Sequence, residues 1–255
     1  MAEARAPGAR IRRSADHYVP ADGPPGDLKA AVQQAAGASV RRVGRFIQLG
    51  LIGAGRALGG EAPDPSTAVY LASARGDMEV TVEVMNQMHR EGSPPRPLSF
   101  INTVSNSACF YIAKQFGLRG RSCFVCNTHF SFEAAAALAL LDFEMGAATS
   151  ALAGSVDIVL APLEAHRQRL RLAEGAPVAE GAHWLWLERS DAAGPRLLSA
   201  EFLPDADALT RWAQSQTEAP ARTAYAVGQF AQEEAVRAAM AEAGVTARFD
   251  YREGR

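Results

Sequence analysis

The most constraining feature of the sequence is a nearly uninterrupted apolar segment, SFEAAAALALLDFEM, at residues 131–145. Its composition predicts a helix with apolar residues on most of its circumference. Such a helix has no face suited to water, so it has to lie between layers of other structure. Ser131 is placed to cap its first turn, and Gly146 to end it. The sequence therefore predicts a layered α/β fold around an interior helix.

Short apolar segments alternate with helical ones along the rest of the chain. Strands are predicted at residues 68–73, 122–126, 150–162 and 182–187, with a partner for the last at 195–202. Helices are predicted at residues 42–58, 79–90, 106–116 and 224–243, and a Pro-rich loop at 92–97. We expect the strand at 122–126, SCFVC, to be buried. This alternation favours an α/β fold in which a mixed sheet packs on the buried helix.

The chain divides by composition into three parts. Residues 1–27 are rich in Ala, Pro, Gly and Arg, and we expect a loose N-terminal arm with one short strand around Ile11 or Tyr18. Residues 28–205 carry the alternating elements and form the main domain. Residues 206–255 are predicted to be a C-terminal helical extension.

The totals exclude several functional classes. The 255 residues carry a formal net charge of −2, which does not favour nucleic acid or an anionic membrane, and the arginine run at 167–171 lacks interleaved aromatic residues. No apolar run approaches the roughly 20 residues that span a bilayer. Three cysteines in a chain of this size favour a reducing compartment, so we expect a cytoplasmic protein.

Two motifs resemble a dinucleotide-binding or metal site but are better explained by packing. Gly53, Gly55 and Gly59 lie inside or at the end of a predicted helix, which favours close helix packing and a helix end over a dinucleotide site. Cys123 and Cys126 form a C-x-x-C without a second ligand pair. We interpret these cysteines as buried packing residues, and we predict no metal or cofactor.

The five histidines divide into three groups. His129 lies in the turn between the strand at 122–126 and the apolar helix, where it is either a base or a hydrogen-bonded residue lining a cavity. His17, His89 and His166 are predicted to be solvated. His183 alternates with tryptophans along a predicted strand, so one face of that strand is core or interface.

Residues 97–157 resemble the central part of β-ketoacyl synthases. The segments PLSFINTVSNSACFYIAKQFGLRG, SCFVCNTHFSFEAAAALALL and GAATSALAGSVD follow the order and spacing of that family's pre-nucleophile run, nucleophile turn with buried helix, and closing strand. The resemblance implies a thiolase-like fold corresponding to the N-terminal half of a ketosynthase. More loosely, it extends over residues 40–190.

The family's nucleophilic cysteine is missing from this sequence. Counting back without gaps from Gly146 and Gly154 places that position on His129, and a one-residue gap places it on Thr128. Cys126 is out of register. Condensation needs a thiolate to carry the acyl chain, so the resemblance implies that the chain alone is not a synthase.

Glu180 to Leu187, EGAHWLWL, resembles the EGxxWLxL pattern of short chain-length-factor-like proteins of aryl polyene biosynthesis. The resemblance implies a non-catalytic subunit, without cofactor, that pairs with a catalytic ketosynthase in polyene, fatty-acid-type or polyketide biosynthesis. Through that partner it meets an acyl chain on an acyl carrier protein, and Asn106, Phe130 and Phe132 are candidates to line the tunnel. Two alternatives stay open: an acyl-transferring or thioester-hydrolysing enzyme using Cys126 or Thr128 with His129, and a stand-alone acyl-chain-binding protein.

Overall fold

The computed structural model describes residues 8–23, 26–41, 43–127 and 130–203, together with positions 205, 207, 208, 211, 212, 238 and 241. The chain divides into two units, residues 1–200 and 201–255. Nearly all of the described structure belongs to the first unit. The predicted helix at 224–243 lies almost entirely outside the described residues, and the proposed division at residue 205 stays a prediction.

Six strands and seven helices are described. In chain order they are β1 (Ala9–Pro20), α1 (Leu28–Ala36), α2 (Arg45–Leu58), β2 (Ala68–Ser73), α3 (Met78–His89), α4 (Pro97–Asn102), α5 (Ser107–Phe116), β3 (Ser122–Cys126), α6 (Ser131–Glu144), β4 (Ser150–Asp157), α7 (Leu163–Arg169), β5 (Ala179–Glu188) and β6 (Arg196–Leu197). The predicted elements before residue 200 are present, with ends shifted by a few residues. Helices α1, α4 and α7 were not predicted; Pro97 begins α4, since proline suits a first helical turn.

The strands form one mixed sheet in the order β3-β2-β4-β5-β1-β6. Strands β3, β2 and β4 are parallel to one another, whereas β5, β1 and β6 continue the sheet antiparallel. The carboxyl ends of the three parallel strands therefore lie together at one end of the sheet. In open α/β sheets, ligands bind just outside the carboxyl ends of the strands.

Helices cover both faces of the sheet. On one face α2 packs against β1, β4 and β5, with α1 and α5 beside it, and its buried side chains include Phe46, Ile47 and Leu49. On the other face α6 covers β2, β3 and β4 through Ala135, Ala139 and other small residues. These two apolar layers explain why β2 is buried along its whole length.

The N-terminal arm differs from the expectation. Residues 9–20 form a 12-residue strand rather than a loose arm with a short strand, and this strand pairs antiparallel with β5. The sequence does not show the alternation typical of a strand here for two reasons. Several positions carry charged side chains, and a register shift between Ile11 and Arg13 interrupts the alternation. Arg12 stacks over the Trp186 ring at 4.1 Å and pairs with Glu188 and Glu61, so the arginines hold β1 to its neighbours.

The prediction that the glycine cluster serves close packing is confirmed. A Cβ atom on Gly53 would lie 2.3 Å from Trp184 Cδ1, and one on Gly55 would lie 2.3 Å from the Ala35 carbonyl oxygen. Gly59 ends α2 in the left-handed conformation at φ 59°, where glycine is favoured. These contacts let α2 approach both α1 and the sheet.

Two predictions of burial were wrong. Strand β3 lies at the edge of the sheet, with Ser122 and Cys126 exposed, because no strand in the described part of the chain pairs with its outer side. Helix α6 is buried only on the side that faces the sheet. Its outer side exposes Leu138, Leu141 and Met145, the last to 70%.

Two local predictions were also wrong. The segment around residues 195–202 contributes only β6, which pairs with β1 and not with β5. The N-cap position of α6 is Phe130, and the Ser131 hydroxyl does not cap the helix. It instead binds back to the backbone of Asn127, which closes the turn before the helix.

Candidate functional site

The candidate site lies where the three parallel strands end. Ser73 ends β2, Cys126 ends β3 and Asp157 ends β4, and Ser73 is the register partner of Cys126. After β3 the chain enters the turn before α6, and after β2 it enters the loop before α3. The site therefore brings together residues from three parts of the sequence.

Asp157 and Ser73 fix the loop that follows β2. One Asp157 oxygen, Oδ1, accepts a hydrogen bond from the Ser73 hydroxyl at 2.9 Å and another from the Ala74 amide at 2.9 Å. Ser73 Oγ in turn accepts from the Gly76 amide at 2.8 Å. Burial raises the pKa of Asp157, opposed by these hydrogen bonds and by the charge of Arg75.

Asp77 begins α3 and is almost fully buried. Its Oδ1 accepts from the Val80 amide at 3.4 Å, while Oδ2 is buried without a hydrogen-bond partner among the described residues. Burial raises the pKa of Asp77 to about 6, and the nearby Glu79 acts in the same direction. The free energy of folding should therefore respond to pH through this carboxyl group.

We expect the stability advantage of the wild type over Asp77→Asn to shrink as the pH rises. A folded-state pKa of about 6, above the ordinary 3.8, means that folding favours the protonated acid. That contribution is fully present below pH 3.8 and is lost as the pH rises through 6. The difference in free energy of unfolding should fall by about 2 kcal/mol between pH 4 and pH 7, measured by urea unfolding. A pH-independent difference would contradict this assignment.

The turn before α6 contains the predicted nucleophile-equivalent positions. Thr128 and His129 lie outside the described residues, so their predicted roles stay predictions. On either side, the Asn127 amide donates to Ser131 Oγ at 3.0 Å, and the Ser131 hydroxyl donates to the Asn127 carbonyl at 2.5 Å. Phe130 has φ 57°, a backbone conformation that a bulky residue rarely adopts and that is found in strained turns near functional sites.

Cys126 is exposed at the carboxyl end of β3, contrary to the prediction of a buried packing residue. Partial burial raises the pKa of its thiol, and the negative charge of Asp157 raises it further. Since only the thiolate attacks a thioester, both effects disfavour Cys126 as a nucleophile at neutral pH. Cys123 and Cys126 are three residues apart on a strand and so point to opposite faces, which separates the C-x-x-C pair.

The three predicted tunnel residues lie in different surroundings. Asn106 is exposed at the start of α5, and Phe130 is 40% exposed at the turn. Phe132 is partly buried and packs against the apolar cluster on the α6 side of the sheet. Phe130 is thus the one of the three that lies in the turn next to the predicted nucleophile-equivalent positions.

His166 is buried, which corrects its prediction as a solvated residue. Only 7% of it is exposed, and its Nδ1 accepts from the Leu160 amide at 3.3 Å. The neighbouring Arg167 is also buried, with its guanidinium bound to the Ala176 carbonyl and to Glu164. The prediction failed because the neighbouring arginines made this segment read as a solvated surface in the sequence. His89, by contrast, is exposed as predicted.

Glu180, the first residue of the EGxxWLxL pattern, has a structural role. Its buried carboxylate accepts from Arg45 Nη1 at 2.8 Å and from the Val159 amide at 3.3 Å. Arg45 also binds Glu79 on α3. Burial raises the pKa of Glu180, and Arg45 opposes that rise. The network joins the start of α2, the start of α3 and the segment after β4, close to the candidate site.

The profile of the family described as "Beta-ketoacyl synthase, N-terminal domain" matches residues 13–172, more than half of the sequence. The chain belongs to this family. No curated protein matches it significantly over its sequence. The matched residues include all of β2, β3 and β4, at whose carboxyl ends the described site lies.

Solved structures share the fold at low identity. A chain of "The ishigamide ketosynthase/chain length factor" has a TM-score of 0.68 at 21% identity, with 94% of this chain and 82% of that chain covered. A chain of the ketosynthase ApeO with its chain length factor ApeC, from Xenorhabdus doucetiae, has a TM-score of 0.52 at 14% identity, covering 72% and 80%. A chain of the AntDE:AntF complex has a TM-score of 0.61 at 14% identity, covering 95% and 84%. The predicted thiolase-like α/β fold is confirmed.

None of the helices in the described part of the chain is both long and apolar enough to span a membrane.

Proposed function

We propose that this ketosynthase-family chain is a non-catalytic subunit of the chain-length-factor type. It pairs with a catalytic β-ketoacyl-acyl carrier protein synthase and shapes the space available to the growing acyl chain. The observation that carries this proposal is the state of the nucleophile turn. Counted back from Gly146 and Gly154, the position of the family's cysteine falls on His129 or, with a one-residue gap, on Thr128, and neither is a cysteine; the thiol of the nearby Cys126 has a raised pKa.

The edge of the sheet supports pairing with another chain. Strand β3 presents an outer side that is unpaired in the described structure, and such an edge is a template for a further strand. Helix α5, which contacts β3, and the preceding α4 with the segment that joins the two helices carry four large apolar side chains, each more than half exposed. We call these the apolar patch: Phe100, Ile101, Val104 and Phe110.

An apolar patch next to an unpaired strand edge is typical of a surface that another protein covers. The contact of α5 with β3 places Phe110 on the helix that flanks this edge. The catalytic ketosynthase is the proposed occupant, because it shares the family fold and two of the structural neighbours come from pairs of a ketosynthase with a chain length factor. Through that ketosynthase the acyl carrier protein would present its acyl chain.

The proposal that three residues line the acyl tunnel rests on the turn before α6. Phe130 is part of the proposed tunnel wall, because it lies next to the nucleophile-equivalent position and keeps 40% of its surface exposed. Phe132 supports it from the apolar core, and Asn106 lies at the start of α5. In a non-catalytic subunit these residues limit product length without reacting. Pathways of the aryl polyene, fatty-acid and polyketide type all supply such products.

Co-expression with a full-length ketosynthase from the same genome tests the proposal. We expect the two chains to purify together at equal amounts, and this chain alone to aggregate or give little soluble protein, because its apolar patch is then uncovered. Size-exclusion chromatography with light scattering measures the result. Recovery of two separate, well-behaved monomers would refute the partner assignment.

Exposed Cys126 supports one alternative, an acyl-transferring or thioester-hydrolysing enzyme that uses Cys126 or Thr128 with His129. Under the main proposal, Cys126 should react slowly with iodoacetamide at pH 7. Burial is the main cause of the raised thiol pKa, and Asp157→Asn removes the charge that raises it further, so we expect faster labelling than in the wild type. Mass spectrometry of the labelled protein gives the rate.

Cys126→Ser is the control for that experiment, because it leaves only the labelling of Cys109 and Cys123. Fast wild-type labelling that Asp157→Asn does not change would contradict the assigned pKa. Stoichiometric acylation of Cys126 or Thr128 by an acyl-thioester analogue would establish the alternative enzyme and exclude the non-catalytic assignment.

A further inference from the structure

Helix α3 is apolar on its solvent-facing side as well as on its buried side. Val80 and Val84 are buried, whereas Val82, Met85 and Met88 are 48%, 50% and 46% exposed. These three exposed residues follow one another at intervals of three, which makes them neighbours in one band along the helix. We call this band the α3 stripe. A surface helix ordinarily presents polar residues to water, so the stripe indicates a surface that another molecule covers.

Helix α3 is joined to α4 near both of its ends. Close to its first residue, the Asp77 amide donates to Ser105 Oγ, in the segment after α4, at 2.9 Å. In its last turn, Gln87 Oε1 accepts from the Arg96 amide, just before α4, at 3.0 Å. Helix α4 therefore runs back along α3. The α3 stripe and the part of the apolar patch that belongs to α4 thus lie on neighbouring helices.

The area of the apolar patch also favours a contact surface larger than the patch itself. A stable pair of proteins typically buries roughly 800 Å² of each partner. An aromatic side chain contributes roughly 150–250 Å² when it is fully buried, so the four side chains of the patch, between 57% and 61% exposed, supply only about half of that area. The α3 stripe is an apolar surface next to the patch. Another exposed apolar group, Leu138, Leu141 and Met145, lies along α6, on the opposite face of the sheet from α5.

We propose that the catalytic ketosynthase covers the α3 stripe together with the apolar patch, so that one contact surface extends from the edge of β3 over α5 and α4 to α3. This inference rests on the proposed function and adds a third helix to its contact surface. Methionine side chains are flexible and polarisable and adapt to irregular apolar surfaces. The ketosynthase should therefore present an apolar area to α3, without a charged group at its centre.

Methionine oxidation in the purified complex tests the inference without any substitution. Hydrogen peroxide converts an accessible methionine to its sulfoxide, and mass spectrometry of the peptides gives the rate at each position. Met145, 70% exposed at the end of α6, is the reference. From their exposure in this chain, Met85 and Met88 should oxidise only slightly more slowly than Met145. When the ketosynthase covers them, they should oxidise at least about tenfold more slowly than Met145, because oxidation follows exposure.

Equal rates at the three methionines in an intact complex would overturn the inference. The proposed function would be unaffected by that result, because size-exclusion chromatography of the same sample measures the pairing itself.

Met85→Glu provides a second test. Its affinity for the ketosynthase should be at least about tenfold lower than that of the wild type, because the new carboxylate would be buried without a partner. Met85→Leu should bind as the wild type does, since it keeps an apolar side chain of similar size. Met145→Glu is the control on α6 and should also bind normally. Urea unfolding of each variant checks that it is folded.

Phe110→Glu separates a failure of this inference from a failure of the proposed function. Weakened binding in Phe110→Glu with unchanged binding in Met85→Glu would restrict the interface to the apolar patch and overturn the inference alone. Unchanged binding in both variants would refute the proposed interface as well. An equal loss in Met145→Glu would also overturn the assignment to α3, since it would show a general effect of added negative charge.

Discussion

Gly154→Ala is expected to destabilise the protein by about 3 kcal/mol, at the upper end of what overpacking usually costs. A Cβ atom at this position in β4 would lie 2.2 Å from Trp184 Cδ2. The indole has little room to move away, because Trp184 is fully buried and α2 approaches it so closely that a Cβ atom on Gly53 would lie 2.3 Å from Trp184 Cδ1. The midpoint of urea unfolding measures the effect.

A smaller residue at position 184 separates overpacking from a general effect of alanine on the strand. Trp184→Leu alone should cost about 3 kcal/mol, because it leaves a cavity. In the Gly154→Ala background it should cost much less, since the new methyl group fills part of that space. Gly26→Ala is the control, because a Cβ atom there meets nothing within 4 Å. Additive effects of the two substitutions would contradict the packing argument.

Phe110→Glu is expected to weaken the complex with the catalytic ketosynthase by at least about 30-fold, the cost of losing a single dominant interface residue. Phe110 is 61% exposed on α5, the helix that flanks the unpaired edge of β3. A carboxylate introduced there would be buried without a partner when the ketosynthase covers the apolar patch. The affinity of the purified pair, measured by surface plasmon resonance or by pull-down at graded concentrations, gives the change.

Tyr18→Glu provides the matched control, since Tyr18 is also an exposed aromatic residue, at 60%. It lies on β1, and β2, β4 and β5 separate that strand from β3. The affinity of this variant should be unchanged. A complex that tolerates Phe110→Glu but is lost in Tyr18→Glu would place the partner on the opposite edge of the sheet and contradict the proposed interface.

The sequence predicted the main elements well where a single stretch determines the structure. AVYLAS at 68–73 is β2 with both ends correct, and the glycines of α2 have the packing role assigned to them. The position of a strand in the sheet could not be predicted, because SCFVC is equally compatible with a central strand and with the edge that it occupies. In the same way, the composition of α6 predicted burial without showing that only one of its sides is covered.

The candidate site was less accessible to sequence analysis. Ser73 ends the strand predicted at 68–73, and that position was the available signal for it. Asp157 lies inside the strand predicted at 150–162, and only the structure shows that β4 ends there. No motif includes either residue. The burial of His166 was not predicted, because its neighbours are charged. One of them, Arg167, is itself buried and donates a hydrogen bond to the Ala176 carbonyl. Tertiary contacts across the sheet decide these side chains, and a single sequence does not contain them explicitly.

A condensation assay with the catalytic ketosynthase, with and without this chain, tests the central claim most directly. If the chain is a non-catalytic partner that limits the acyl tunnel, its addition should raise the rate of condensation or change the length of the product. Cys126→Ser should preserve that effect, since no thiol of this chain reacts. An unchanged rate and product length in the presence of a folded chain would contradict the account, as would an effect that disappears in Cys126→Ser.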